Sequence, residues 1–361
     1  MRVLYDYQIF SLQRYGGISR YFYELIKRIA KTEEVSLFEG VHINDYPIEK
    51  ETYHGYWGYR ALNPIPHTGM GRLYNFVNRK VFSRYASSDN SDVYHATYYE
   101  YHNNPNAKLI VTVYDMIHEL FKLDEKTIQQ KKYILQRADG IIAISEHTKK
   151  DLIEILGIDA RKIRVIYLAN SLKEKVNSER LFKRPYLLYV GNRGSYKNFA
   201  VFIQAAMKVQ TDYLIECVCF GGQSFNAADK ALISKAGLTD KVHYMAGPDS
   251  VLANLYKYAE CFVYPSLYEG FGLPPLEAMH YGTPVIASNA SCIPEVVGDA
   301  GLYFTPTEVD ELYSRIVQVL NDRLLREDLR VKGYKKESEF SWDRCARETM
   351  EFYSDVLEGN L

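Results

Sequence analysis

Residues 264–284 read YPSLYEGFGLPPLEAMHYGTP, with two carboxylates, Glu269 and Glu277, on either side of a glycine- and proline-rich turn. The apolar run before it reads as a strand that Pro265 ends. Pro274 and Pro275 suit the first turn of a helix, and Gly282 suits its end. Gly270, Phe271, Gly272 and Leu273 thus carry the backbone into a helix N-terminus, where unpaired N–H groups and the helix dipole favour an anion, most naturally a phosphate. A carboxylate beside a bound phosphate is there to accept hydrogen bonds from hydroxyls. A ligand with sugar hydroxyls on both sides of a diphosphate, a nucleotide sugar, satisfies both glutamates. The spacing alone says little in a chain with 45 acidic residues; the signal is the full string SLYEGFGLPPLEAM followed by GTPVIASNASCIPEVVGDAG.

Three further groups of residues have chemistry to offer. YVGNRGSYKNF brings Arg193 and Lys197 into a loop after a strand, GGISRYFYELIKRIAK puts Gly16 and Gly17 at a helix entrance, and TVYDMIHELF ends a strand on Asp115 with His118 close behind. Glycine at a helix entrance lets backbone approach a phosphate. His118 is a candidate for handling an acceptor, with a structural histidine as the alternative. No Asp-x-Asp and no metal-type spacing of His, Asp or Glu occurs. Neither a metal nor another cofactor is therefore expected, and the charge of a diphosphate falls to cations, N–H groups and a helix dipole.

These residues need a scaffold, and the chain is long enough for two. At 361 residues it exceeds the size at which one core usually stops growing. Short apolar strands alternate with amphipathic helices: strands at 3–6, 92–95, 109–114, 140–144 and 163–167, then again at 186–190, 214–220, 242–245, 261–264, 285–288 and 301–304. Such alternation implies parallel sheets covered on both faces. The charged, aperiodic SLKEKVNSERLFKRP after Asn170 marks the linker. The fold class is α/β, with two Rossmann-like doubly wound domains facing across a cleft. Their boundaries are 1–172 and 184–341. Ligands sit beyond the carboxyl ends of such strands, so loops of both domains are expected at one substrate.

A formal net charge of -1 argues against a nucleic-acid partner. The first 183 residues carry 27 basic and 22 acidic side chains and the rest 17 and 23, an asymmetry that reads first as ordinary solvated surface, with attraction of the basic half to an anionic surface or ligand as the second reading. Five cysteines without zinc-type spacing read as buried free thiols, and the N-terminus resembles neither a secretory signal nor an anchor, so a cytoplasmic location is expected. The segment GRLYNFVNRKVFSRYASS, 71–88, reads first as a surface helix, with peripheral contact to an anionic membrane as the second reading.

The string around Glu269 and Glu277 resembles the signature of the retaining GT-B glycosyltransferases of the group 1 (glycogen synthase and sucrose synthase-like) superfamily, most clearly from Tyr186 to Phe304. The resemblance implies that Glu269 contacts the donor sugar, Glu277 the ribose hydroxyls, Arg193 and Lys197 the donor diphosphate, and the Gly16–Gly17 backbone the same diphosphate. Asp115 fits the aspartate of the family's His-Asp pair, but Tyr114 stands in place of the histidine. Helix 342–361, opened by Trp342, is implied to return to the N-terminal domain. The implied activity is transfer of a sugar, with retention, from a nucleoside-diphosphate sugar to a hydroxyl of a glycan or lipid-linked acceptor, in polysaccharide or glycoconjugate synthesis. The N-terminal domain would bind the acceptor, with the loop at 95–105 beside it, and residues 242–247 are the candidate base pocket. A nucleotide-sugar 2-epimerase of the same fold and a sugar- or nucleotide-binding protein without turnover are the alternatives.

Overall fold

The computed structural model describes residues 1–47, 50–61, 69–176 and 178–361. The chain divides into two compact units, Met1–Leu168 with Trp342–Leu361, and Ala169–Ser341. Leu172, Glu174 and Glu179, from the charged segment after Asn170, are held on the second unit by their carbonyls, which accept from Tyr281 Oη at 3.3 and 3.1 Å and from Asn254 Nδ2 at 2.8 Å.

The strands of the first unit are β1 (Arg2–Tyr5), β2 (Glu34–His42), β3 (Gly55–Arg60), β4 (Val93–Ala96), β5 (Lys108–Val113), β6 (Gly140–Ala143) and β7 (Ile163–Val165). They form one parallel sheet in the order β3-β2-β1-β4-β5-β6-β7. The sequence pattern misses β2 and β3. A register shift between Phe38 and Gly40, where Gly40 takes φ +65°, breaks the apolar run of β2, and β3 is a half-exposed edge strand. Helix Trp342–Glu358 belongs to this unit and seats on it through small contacts. A Cβ on Gly140 would meet Phe352 and Val356 at 2.8 Å, and Tyr353 Oη lies 3.1 Å from Tyr5 Oη.

The second unit holds β8 (Tyr186–Val190), β9 (Glu216–Phe220), β10 (Val242–Met245), β11 (Cys261–Tyr264), β12 (Val285–Ser288) and β13 (Gly301–Phe304), all parallel, in the order β10-β9-β8-β11-β12-β13. Strands such as YLLYV and CFVY are almost wholly buried, as expected where helices cover both faces of a sheet. The core fills from Leu187, Cys217, Cys219, Val263 and Ile286 against Phe202, Ala206, Leu312 and Ile316 of the covering helices. All five cysteines are free and buried. In both sheets strand order reverses beside the first strand, between β1 and β4 and between β8 and β11. At such a point neighbouring loops splay apart and leave room for a ligand.

Candidate active site

In the second unit the residues singled out from the sequence follow the two strands that flank the reversal, β8 and β11. The loop after β8 is tied to the end of β11 by backbone and side chain. Leu267 N–H donates to the Tyr196 carbonyl at 2.7 Å, and Asn198 Nδ2 donates to the carbonyls of Pro265 (3.1 Å) and Pro306 (2.7 Å). This brings Lys197 Nζ to 2.7 Å from Glu269 Oε1, with both side chains largely buried. The Glu269 backbone is fixed as well: its N–H donates to Ser291 Oγ at 2.9 Å, and the thiol of Cys292 donates to the carbonyls of Glu269 and Phe271 at 3.1 and 3.2 Å. Ser291 and Cys292 escaped the sequence reading as individuals, although they lie within the quoted ASNASCIP.

Gly272 caps the entrance of helix Leu273–His280 with φ +98°, a conformation that glycine adopts without a Cβ penalty. Pro274 and Pro275 follow in the first turn and bring no N–H, so Gly272 and Leu273 supply the N–H groups that open the helix. Glu277, one turn on, is buried and accepts a hydrogen bond from Tyr256 Oη at 3.0 Å. Burial pushes the Tyr256 phenol well above its usual range, and the neighbouring Glu277 charge pushes it further. Tyr256 is therefore the donor of this bond, and Glu277 the acceptor.

Arg193 departs from the expectation. Its guanidinium is 5% exposed and pairs with Asp229 at 3.1 Å, donates to the carbonyls of Gly221 (3.3 Å) and Gln223, and lies over the rings of Phe225 and Tyr244. It clamps the loop after β9 to the entrance of helix Ala227–Lys235, where Asp229 also accepts from Asn226 N–H at 3.0 Å. The side chain thus holds a buried bridging position among protein partners. Tyr244, in the stretch read as a base pocket, is part of the same group and donates to the Gly222 carbonyl at 3.0 Å.

In the first unit Gly16 caps helix Gly17–Ile29 with extended backbone, and a Cβ on Gly17 would meet no atom within 4 Å. Gln13 reaches over this entrance, its Oε1 accepting from Ser19 N–H at 3.1 Å. Asp6, at the end of β1, is fully buried and accepts from Gln8 Nε2, Tyr94 Oη and Thr97 Oγ1, which lock the loops after β1 and β4 together. Of the eleven residues at 95–105, five are buried: His95, Ala96, Thr97, Tyr99 and His102. His95 bridges Thr112 Oγ1 at 2.8 Å and Tyr353 Oη at 2.5 Å, and burial pushes its pKa down to about 3.

Asp115 follows β5 and accepts from Ile117 N–H at 3.0 Å in a tight turn that opens helix Ile117–Phe121, with His118 in its first turn. Burial raises the Asp115 pKa, and the nearby Lys131 charge offsets part of that rise. Tyr114 Oη, His118 Nδ1 and Glu119 Oε1 are buried with no hydrogen-bond partner among the described residues. Lys131, which sequence reasoning passed over, is completely buried behind this turn. Among the described residues no three His, Cys, Asp or Glu side chains are grouped to hold a metal ion, and no helix is long and apolar enough to cross a membrane.

The chain matches the family model "Glycosyl transferases group 1" over residues 171–336 and that of "Glycosyltransferase Family 4" over 15–169. It is 29% identical to the O-antigen chain mannosyltransferase B of Escherichia coli, over 93% of this chain and 95% of that one. It is 31% identical to the O-antigen chain mannosyltransferase RfbU of Salmonella typhimurium, over 54% of this chain and 55% of that one. Among solved structures it resembles sucrose-phosphate synthase from Thermosynechococcus elongatus (TM-score 0.79, 20% identity, 99% of both chains covered). It also resembles Anabaena Alr3699/HepE in complex with UDP-glucose (TM-score 0.75, 17% identity, 98% of this chain and 100% of that chain). These structures share the two-domain GT-B fold. With both halves matched to glycosyltransferase families in chain order, and the motif residues gathered at the strand reversal of the second unit, the chain is a glycosyltransferase of GT-B fold whose second unit matches the group 1 family.

Proposed function

We propose that the protein transfers a hexose from a nucleoside-diphosphate sugar to a hydroxyl of a growing surface polysaccharide or its lipid-linked precursor, retaining the anomeric configuration and using no metal. The observation that carries this reading is the arrangement after β8 and β11: Lys197 against Glu269, and Glu277 one helical turn beyond the N–H groups of Gly272 and Leu273. Lys197 and those N–H groups would stabilise charge on the departing diphosphate, a differential interaction that grows in the transition state. Glu269 would accept hydroxyls of the donor sugar and Glu277 those of the ribose. Before donor arrives, Lys197 and Glu269 neutralise each other, so binding exchanges one ion pair for contacts with phosphate and sugar. Mannose is the first sugar to offer, since several relatives are named mannosyltransferases.

Retention needs either attack from the face the diphosphate leaves or two displacements through a carboxylate. Asp115 is the carboxylate that this reading places near the acceptor; Asp115→Asn with transfer intact excludes a double displacement on it. Incubation with GDP-, UDP- and ADP-linked sugars and a membrane fraction as acceptor, with NMR of the new anomeric linkage, tests the whole reading. An α product from an α donor supports it; hydrolysis alone or an inverted product overturns it.

Peripheral contact with an anionic membrane is supported by helix Gly69–Ser88. Residues 71–88 include four Arg or Lys and no acid, and Leu73 and Phe76 are more than half exposed. Basic side chains beside exposed apolar ones suit an anionic lipid surface. Co-sedimentation with vesicles containing phosphatidylglycerol, lost in Phe76→Asp and absent with phosphatidylcholine alone, is the expected result.

A further inference from the structure

The completely buried Lys131, from helix Glu125–Leu135, has its ammonium group beneath the turn that carries Asp115 and His118. Nζ donates to the Asp115 carbonyl at 2.9 Å and to Glu119 Oε2 at 2.9 Å, and it lies 5.1 Å from the centre of the Tyr99 ring. All three ammonium directions therefore meet an acceptor or a π face, as a charge without water requires. A buried ion pair is a poor way to gain stability, because desolvation consumes much of the attraction, and an apolar pair of similar volume often serves as well. What the pair adds here is a fixed positive charge on the Asp115 backbone, with a contact to each of the three segments that shape the turn. These segments are the strand end at Asp115, helix Ile117–Phe121 through Glu119, and the loop after β4 through Tyr99.

We infer that Lys131 is a positioning residue for sugar transfer: it holds the Asp115 turn in one geometry and sets a fixed positive charge beneath the turn whose carboxylate faces the acceptor. The inference rests on the proposed role of the first unit in acceptor chemistry. Asp115 feels Lys131 from one helix, His118 and Glu119 from another, and Tyr98 and Tyr99 from the loop after β4. Burial and Glu119 oppose its ionisation, while Lys131 and the Ile117 N–H favour it. Without the ammonium, the strongest of the effects that oppose burial is lost, leaving the Ile117 N–H and His118, and Asp115 would take up a proton at higher pH.

The test uses Lys131→Met/Glu119→Gln, which removes both charges together so that neither is left buried alone, with Lys131→Arg beside it. Rates are measured against pH from 5 to 9. The expected result is a fall in kcat of tenfold or more with donor KM unchanged within about twofold, an acid limb displaced to higher pH by about a unit, and partial recovery in Lys131→Arg. A purely structural role would lower kcat only in step with the folded fraction and leave the acid limb in place, which overturns the inference. A second readout needs no turnover. The difference in melting temperature between wild type and Asp115→Asn, followed against pH, reports Asp115 ionisation directly. Its pH-dependent step must move upward when Lys131 and Glu119 are neutralised; an unmoved step contradicts the inference even if the wild type transfers no sugar, the outcome that would instead remove the functional reading.

Discussion

The loops after β8 and β11 and the loops after β4 and β5 both lie at the carboxyl ends of neighbouring strands at or beside the reversal in two similar sheets, yet they are finished differently. In the second unit the carboxylates already have partners: Lys197 for Glu269 and Tyr256 for Glu277. In the first unit Tyr114 Oη, His118 Nδ1 and Glu119 Oε1 are buried without partners among the described residues, around a turn held from beneath by a buried ammonium. On the proposed reading, the second unit holds a preformed site whose polar groups would exchange partners when a charged ligand enters. The first holds buried polar atoms left without partners, each at a cost in stability, because an unmade buried hydrogen bond is costly.

The largest expected effect falls on the preformed site. Glu269→Gln or Lys197→Met should lower transfer about 100- to 1000-fold, the range for loss of one well-placed transition-state contact. A loss under tenfold in steady-state rates would break the comparison at its stronger end. Next comes Arg193→Met, which removes the counter-ion of Asp229 and the donor to two carbonyls and should cost about 3 kcal/mol of stability in denaturant unfolding, with donor KM per folded molecule unchanged. A raised KM at full folding would return Arg193 to the diphosphate.

A third test separates the units by pH. His95 is buried and neutral, with its pKa depressed to about 3, so the unfolded chain takes up the proton first as pH falls below about 6.5. The stability it contributes is complete above that value and is lost toward pH 3, at about 1.4 kcal/mol per pH unit within the window. Melting of the first unit should therefore fall on acidification between pH 6.5 and 4, more steeply than in a variant in which Gln replaces His95. The smallest effect is expected from Tyr256→Phe. Removing one hydrogen bond to Glu277, worth about 1 kcal/mol, should raise donor KM several-fold and leave kcat alone.

What could be read in the sequence follows the same division. Strands of the second unit are short, apolar and bounded by turn residues; 186–190, 242–245, 261–264, 285–288 and 301–304 fall where the pattern puts them. Lys197, Glu269 and Glu277 are legible because they lie in loops set by glycine and proline, where residue type and backbone geometry are tied together. The Arg193 partner was not legible, because a loop cation looks the same in sequence whether it faces solvent or an aspartate 36 residues further on. Lys131 was invisible for a related reason. It sits on a helix whose neighbours are Gln, Lys and Tyr, and only the folded chain shows that this one lysine turns inward beneath Asp115. The bulge at Gly40 hid β2, since Val41 N–H bonds to Asn78 Oδ1 at 2.7 Å, a partner no local pattern reveals.

The central claim, a metal-free nucleoside-diphosphate site in the second unit, is tested most directly by thermal melting with GDP, UDP and ADP in EDTA. The wild type and Glu277→Gln are compared. At ~100 times its dissociation constant a bound diphosphate stabilises by roughly 2.7 kcal/mol, a shift of several degrees. The account predicts that shift for one nucleotide in the wild type, unchanged by EDTA and much reduced in Glu277→Gln. No shift with any nucleotide, or one that appears only when magnesium or manganese is restored, would contradict it.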